Sequence, residues 1–208
     1  MINRLQAGIY RLPEMKDGIC PPVHFSHSDP DCCRMPMKYL IRPMESRDIP
    51  EVFSIDKASA ALYWPERSYH FEVEQNEASR PLIAVDENRQ ILGFIVFWLI
   101  IDEAHLANFA VRESVRCRGI GKALLYSGLR VCYEGGARVS FLEVRSGNDP
   151  AIHLYQGAGY HTESIRKQYY QDNHEDALLM NLDPEEYEAL MHRIGKAYTD
   201  IRLPDDGN

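Results

Sequence analysis

The chain lacks an apolar run long enough to cross a bilayer. Its longest, from Ile91 to Ile101, falls well short of the roughly 20 residues a spanning helix needs. That run carries Gly93 near its start and reads as a buried strand, so no membrane partner is expected. The N-terminus lacks the order of charged, apolar and small residues that marks a signal peptide. Cysteine is scarce: 5 in 208 residues, an odd count that argues against a disulfide framework. Together these absences predict a reduced, cytoplasmic protein. Positive charge is also in deficit, since 23 Lys and Arg face 31 Asp and Glu for a formal net charge of -8. That excludes the extended basic face of a general nucleic-acid binder and predicts no direct nucleic-acid partner. What remains, 45 % hydrophobic and 26 % charged residues, suits one soluble globular domain with an appendage.

Residues 1–37 do not pattern like the rest. They are rich in Pro, Gly, Cys and His with no sustained period, and are expected to form a flexible N-terminal extension. Cys20, His24, His27, Cys32 and Cys33 invite a metal reading, but their spacing fits no common zinc arrangement and adjacent cysteines suit one tetrahedral site badly, so no metal is expected. From Tyr39 the pattern becomes regular. Tyr39 to Arg42 is a short strand. Ser46 or Asp48 caps a helix with Pro50 in its first turn, running to about Ala61, and a second helix follows from about Glu66. Pro81 to Val85 and Gln90 to Ile101 read as a hairpin, and Ala104 to Val111 as a further strand. A helix ending near Gly135 and Gly136 precedes a strand from Val139 to Val144. Asp149 and Pro150 start a short helix that Gly157 and Gly159 end. Tyr160 to Arg166 and Ala177 to Leu182 form a closing antiparallel pair, before a last helix from Pro184 to about Ala197 on the outside. This order predicts an α/β fold with a mixed central sheet and helices on both faces. The domain is expected to span 38–183, with 184–208 as a C-terminal helix and tail.

Between Val111 and Leu125 the chain reads VRESVRCRGIGKALL: a strand end, a basic glycine loop and the start of an amphipathic helix. Gly119 and Gly121 remove Cβ atoms where backbone N–H groups approach an anion. The new helix points its positive end at the same place, and Arg112, Arg116, Arg118 and Lys122 add mobile positive charge. No Gly-Lys-Ser/Thr element makes it a Walker loop, and the third glycine of the dinucleotide fingerprint is missing. An ordinary strand-to-helix turn carries the same residues, so a reaction centre nearby has to decide.

The stretch FLEVRSGNDPAIHLYQGAGY, Phe141 to Tyr160, supplies candidates. Glu143 lies near the end of a strand that should be central, its carboxylate on the face opposite Leu142 and Val144. Partial burial there would raise its pKa and suit it to accept a proton near neutral pH; the plainer alternative is an exposed residue paired with Arg145. Asn148 reads as either a helix cap or a ligand contact. Tyr155 follows Ile152 in helical phase, as a core residue or as a phenol that donates a proton to a cleft.

The set Arg116-x-x-Gly119-x-Gly121, Glu143-x-x-x-x-Asn148 and Tyr155 resembles the GNAT N-acetyltransferases. LANFAV, RGIGKALL, LEVRSGN, AIHLYQGAGY and RKQYYQDNHEDALLM, with Tyr169, Tyr170, His174, Glu175 and Asp176, are similar in order and spacing to the ribosomal-protein-alanine N-acetyltransferases (RimI type). The resemblance covers roughly Tyr39 to Leu182. It implies acetyl-CoA as co-substrate, with Phe109, Ala110 and Val111 offering backbone to the pantetheine arm. Arg116, Cys117, Arg118, Gly119, Ile120, Gly121 and Lys122 would surround the pyrophosphate, and Asn148 would lie near the thioester. Glu143 would be the general base, through a water, and Tyr155 the general acid. Tyr63, Trp64, Tyr169 and Tyr170 would line a slot for a protein N-terminus, a ribosomal protein's among the options. Where relatives often read Phe-Pro-Trp, this chain has Tyr63-Trp64-Pro65, which leaves the acceptor less constrained than the chemistry.

An α-amine, with a pKa near 8, costs about 3 kcal/mol less to neutralise than a lysine near 10.4, which favours α-amines for a single carboxylate base. Direct attack on the thioester is expected, with the oxyanion held by a backbone N–H near Val111. Two alternatives stand beside this one. The first is acetylation of a small amine such as a polyamine, amino sugar or antibiotic. The second is a non-catalytic acyl-CoA-binding module, against which Glu143 and Tyr155 both count.

Overall fold

A computed structural model describes residues 10–11, 38–59 and 63–198. The Cys20, His24, His27, Cys32 and Cys33 group lies outside the described residues. After the two-residue β1 (Tyr10–Arg11) come β2 (Tyr39–Pro43), α1 (Ile49–Ser59), α2 (Glu66–Glu74), β3 (Ser79–Asp86), β4 (Ile91–Ile100) and β5 (Glu103–Val111). Then follow α3 (Ile120–Glu134), β6 (Val139–Arg145), α4 (Asp149–Ala158), β7 (His161–Tyr170), β8 (Glu175–Leu182) and α5 (Pro184–Tyr198). The strands lie in the order β1-β2-β3-β4-β5-β6-β8-β7. Every neighbouring pair is antiparallel except β5 and β6. The mixed sheet with helices on both faces is therefore the observed fold.

Strand β4 reads as an unbroken apolar run because both of its faces are covered. Leu92, Ile95 and Phe97 join the larger core under α3, α4 and α5, while Ile91, Phe94 and Val96 join a smaller core under α1 and α2. The last helix lies outside the sheet, yet its inner face is core: Tyr187 and Leu190 are fully buried, and the Tyr187 hydroxyl donates to the Leu129 carbonyl at 2.6 Å.

Three local readings change. Neither Ser46 nor Asp48 caps α1 directly. A 3-10 turn over Ser46–Asp48 comes first, with Glu45 and Asp48 forming a reciprocal capping box. Asp48 also takes two hydrogen bonds from Arg42, at 2.7 and 2.8 Å, which ties β2 to the turn. Gly157 lies inside α4, and Gly159 alone ends it, at φ 111°. The β7–β8 hairpin is longer than its polar sequence suggested, reaching Tyr170 and starting again at Glu175. Between the pairs Arg166–Ala177 and Tyr170–Glu175, three residues of β7 face one of β8. Asp176 holds that bulge by accepting Lys167 Nζ at 2.7 Å and the Gln168 N–H at 2.9 Å.

Burial pushes the phenols of Tyr69, Tyr155, Tyr160 and Tyr187 above the ordinary tyrosine range. The unfolded chain releases these protons near pH 10 while the fold retains them. Their contribution to stability is therefore full below about pH 10 and is lost as pH rises further. The denaturant midpoint is expected to hold level up to about pH 9 and to drop steeply above 10. A midpoint that does not fall across that window contradicts the assignment.

Candidate active site

Strands β5 and β6 pair only from Glu103–Leu106 against Val139–Leu142. Beyond that point β5 continues along β4 and β6 along β8, so the two part and open a seam. A bulge in β5 marks the place: Val96 faces Asn108 and Phe97 faces Leu106, which leaves Ala107 as the extra residue. The Arg112 N–H reaches the Leu92 carbonyl on β4 at 2.8 Å. By strand alternation the Ala110 N–H also faces β4, and those of Phe109 and Val111 face the seam. The Val111 carbonyl agrees with this, since it accepts Arg116 Nε at 3.1 Å from that side. The Phe109 N–H meets Asn108 Oδ1 at 2.8 Å.

The glycine loop joins the open end of β5 to α3. Gly119 is the N-cap of α3 at φ 79°, and a Cβ there would meet nothing within 4 Å. Glycine is needed at that position for its left-handed backbone. Gly121 has a different reason. A Cβ would lie 3.2 Å from the Phe109 ring and 3.6 Å from Leu154 and Val111, so its absence seats α3 against β5 and α4. Two of the four cations read as mobile are tied down. Arg112 donates to Glu51 at 2.6 Å and to the Ile91 carbonyl at 3.0 Å, and Arg116 adds a contact to Ser59 at 3.4 Å. Arg118 has no hydrogen bond or ion pair among the described residues, and Lys122 Nζ rests 5.3 Å from the Tyr126 ring. Cys117 is exposed in the same loop at φ 59°. A cleft of about 480 Å³ borders the loop between α1 and residues 112–114.

Glu143 sits where β6 has left β5, opposite Leu179 of β8. It is not the partly buried carboxylate expected: its side chain is 36 % exposed and pairs with Arg166. The reason is that β8 and the edge strand β7 extend the sheet on that side without a helix over this face. Arg145 is not its partner. Arg145 binds Asp172 through two contacts at 3.0 Å and Glu175 at 3.3 Å, and lies 3.8 Å from the centre of the Tyr170 ring. Tyr155 packs from α4 into the larger core with 5 % of its surface accessible, and its hydroxyl has no hydrogen-bond partner among the described residues. Burial, then the neighbouring Tyr170, raises its pKa. Tyr170 adjoins both candidates, since Glu143 contributes to the upward shift of its own phenol after burial. Asn148 caps α4, accepting the Ala151 N–H at 3.4 Å.

The four aromatic residues fall into two pairs. Trp64 is packed inward between Tyr69 and Trp98, with ring centroids at 5.6 and 6.3 Å, while Tyr63 is 42 % exposed against Phe53. Tyr169 is exposed and edge-on to Tyr170 at 5.3 Å. Glu175 accepts the Gly147 N–H at 2.7 Å as well as Arg145, so the His174-Glu175-Asp176 stretch singled out in the sequence builds the hairpin that carries the tyrosines. The structure also brings in a residue that sequence reasoning passed over. Asp56 is buried on the apolar stripe of α1, and a carboxylate in phase with Val52 and Ile55 was the available signal. Among the described residues, no three His, Cys, Asp or Glu side chains gather as a metal site, and no helix is long and apolar enough to cross a membrane.

Residues 47–160 match the Acetyltransferase (GNAT) family. A Bacillus subtilis (strain 168) protein, named as a candidate ribosomal protein bS18-alanine N-acetyltransferase, is 34 % identical over 146 residues, which span 70 % of this chain and 96 % of the relative. The crystal structure of the ribosomal-protein-S18-alanine N-acetyltransferase from Escherichia coli is similar with a TM-score of 0.65 at 30 % identity, covering 70 % of this chain and 94 % of that one. The crystal structure of Ard1 from Thermoplasma volcanium gives a TM-score of 0.62 at 30 % identity, over 69 % and 95 %.

Proposed function

Since the chain belongs to the acetyltransferase (GNAT) family, we propose that it moves an acetyl group from acetyl-CoA to the α-amino group of a protein N-terminus, of the ribosomal-protein-alanine type. The observation that carries this reading is the seam: two backbone amides, at Phe109 and Val111, are turned away from β4 at the point where β6 departs. An extended arm bearing amide carbonyls fits there as a strand would. Ala110 keeps the register between the two. The loop from Arg116 to Lys122 grips the pyrophosphate, with the α3 N-terminus, Arg118 and Lys122 supplying the positive field. Asn148, at the mouth of α4, lies toward the thioester end.

Glu143 accepts a proton from the incoming ammonium through a water, after sharing or releasing Arg166. An exposed ion pair of this kind holds about 1 kcal/mol or less, so opening it is a small cost. The neutral amine attacks the thioester carbonyl, a C–N bond forms, and the oxyanion is held by a seam amide near Val111. As the C–S bond breaks, Tyr155 gives its proton to the departing thiolate and takes back the second proton that the acetylated nitrogen sheds. Burial keeps this phenol protonated through the neutral range, so a proton is in place when the thiolate departs.

Two aromatic walls, Tyr63 with Trp64 and Tyr169 with Tyr170, bound the approach to Glu143 and suit the first residues of a peptide. The relatives' names support the same choice. The test is a panel of N-terminal peptides, with Ala-started ribosomal sequences among them, against polyamines and amino sugars. An Ala-started peptide is expected to win by more than about tenfold in kcat/KM. A polyamine preference would overturn the reading.

A further inference from the structure

Asp56 is only 2 % exposed, and no cation among the described residues pairs with it. Its Oδ2 instead accepts donors from three other segments: the Trp64 backbone N–H at 2.9 Å, the Tyr69 hydroxyl, and Asn108 Nδ2 at 3.2 Å. Asn108 Nδ2 also reaches the Tyr69 oxygen at 3.0 Å, while Asn108 Oδ1 accepts the Phe109 N–H at 2.8 Å. One planar side chain thus holds a seam amide at one end. At its other end it touches the carboxylate that fastens the first aromatic wall. A buried carboxylate without a counter-charge depends on all of its donors, so a change in one disturbs the others.

The geometry points to Asn108 and Asp56 as positioning residues that link occupancy of the seam to the seating of Trp64. The link rests on the proposed reading of the seam as the acyl-CoA site. A carbonyl of the acyl arm that takes the Phe109 N–H shares it with Asn108 Oδ1 or displaces that oxygen. The amide group is rigid, so a shift at Oδ1 is a shift at Nδ2, and the donors around Asp56 reset, the Trp64 N–H among them. Coupling between two binding events is reciprocal. Acyl-CoA therefore prepares the acceptor wall, and a seated acceptor tightens acyl-CoA by the same factor.

The chain's 2 tryptophans, Trp64 and Trp98, stack beside this network and report on it by fluorescence. CoA added to the full chain is expected to change tryptophan emission. Asn108→Ala should abolish that change and keep the calorimetric CoA Kd within about threefold, while kcat on an Ala-started peptide falls on the order of 10- to 100-fold. A merely structural role would not separate Kd from kcat in this way. An Asn108→Ala protein with the parent's kcat and peptide KM overturns the link, as does a parent whose emission ignores CoA. Should Asn108→Ala fail to fold, Tyr69→Phe removes the hydroxyl that touches both Asp56 and Asn108. It must then show the same separation, and its absence overturns the link. A parent that binds CoA with an emission change yet acetylates no peptide refutes the proposed acceptor and leaves the link standing.

Discussion

Glu143→Gln lowers kcat on an N-terminal peptide by about 10²- to 10⁴-fold and leaves CoA affinity within about threefold of the parent. The substitution is isosteric. The glutamine carbonyl still accepts from Arg166, so the local packing on β6 is kept and only the ability to take a proton is lost. CoA affinity is spared because the proposed cofactor contacts other than Asn148 come from β5 and the α3 loop, on strands and turns that Glu143 does not touch. Steady-state kinetics beside calorimetric CoA binding separates the two quantities. Parent-like turnover in Glu143→Gln would remove Glu143 from the chemistry altogether. It would leave the Arg166 pair as a surface feature of the sheet edge.

Tyr155→Phe is expected to cost about 10²-fold or more in kcat with little change in stability. The Tyr155 hydroxyl has no hydrogen-bond partner among the described residues, so its removal strands no donor or acceptor in the core, and the ring keeps its contact with Tyr160 at 6.0 Å. A fall in turnover without a fall in unfolding midpoint is thus the specific signature. The pH dependence has a definite sign. Burial raises the Tyr155 pKa, so the acid form persists through the neutral and mildly alkaline range. No loss of kcat traceable to this phenol should occur below about pH 10. A Tyr155→Phe protein with unchanged kcat would assign the proton to another donor.

Much of the frame could be read from local chemistry. The apolar run of β4 announces a strand covered on both faces, and Asp149-Pro150 announces the start of α4, because each signal is complete within a few residues. The basic glycine loop is local as well, and it lies between β5 and α3 as expected. What stayed hidden depends on partners far along the chain. The partner of Glu143 is Arg166, which reaches it across β8, and periodicity on β6 carries no trace of that. Gly121 looks like an anion contact until the Phe109 ring is placed beneath it. The length of β7 and β8 depends on Asp176 closing a bulge and on Arg145 clamping the turn, among residues polar enough to pass for a loop. Asp56 could be recognised as an oddity on an apolar stripe, but its three donors lie 8, 13 and 52 positions further along the chain and only the fold collects them.

The parting of β5 from β6 also bears on how such a domain can change over generations. Contacts made through backbone N–H groups are indifferent to the side chains that happen to be attached, so the stretch from Phe109 to Val111 can drift in composition and still offer the same two donors. The aromatic walls have no such protection. In the proposed reading each of Tyr63, Trp64, Tyr169 and Tyr170 acts through its ring, and a single exchange there remakes the surface an acceptor meets. On that reading variation in this architecture falls unevenly: the donor of the acyl group is inherited with the strand geometry, and the recipient is open to revision one residue at a time.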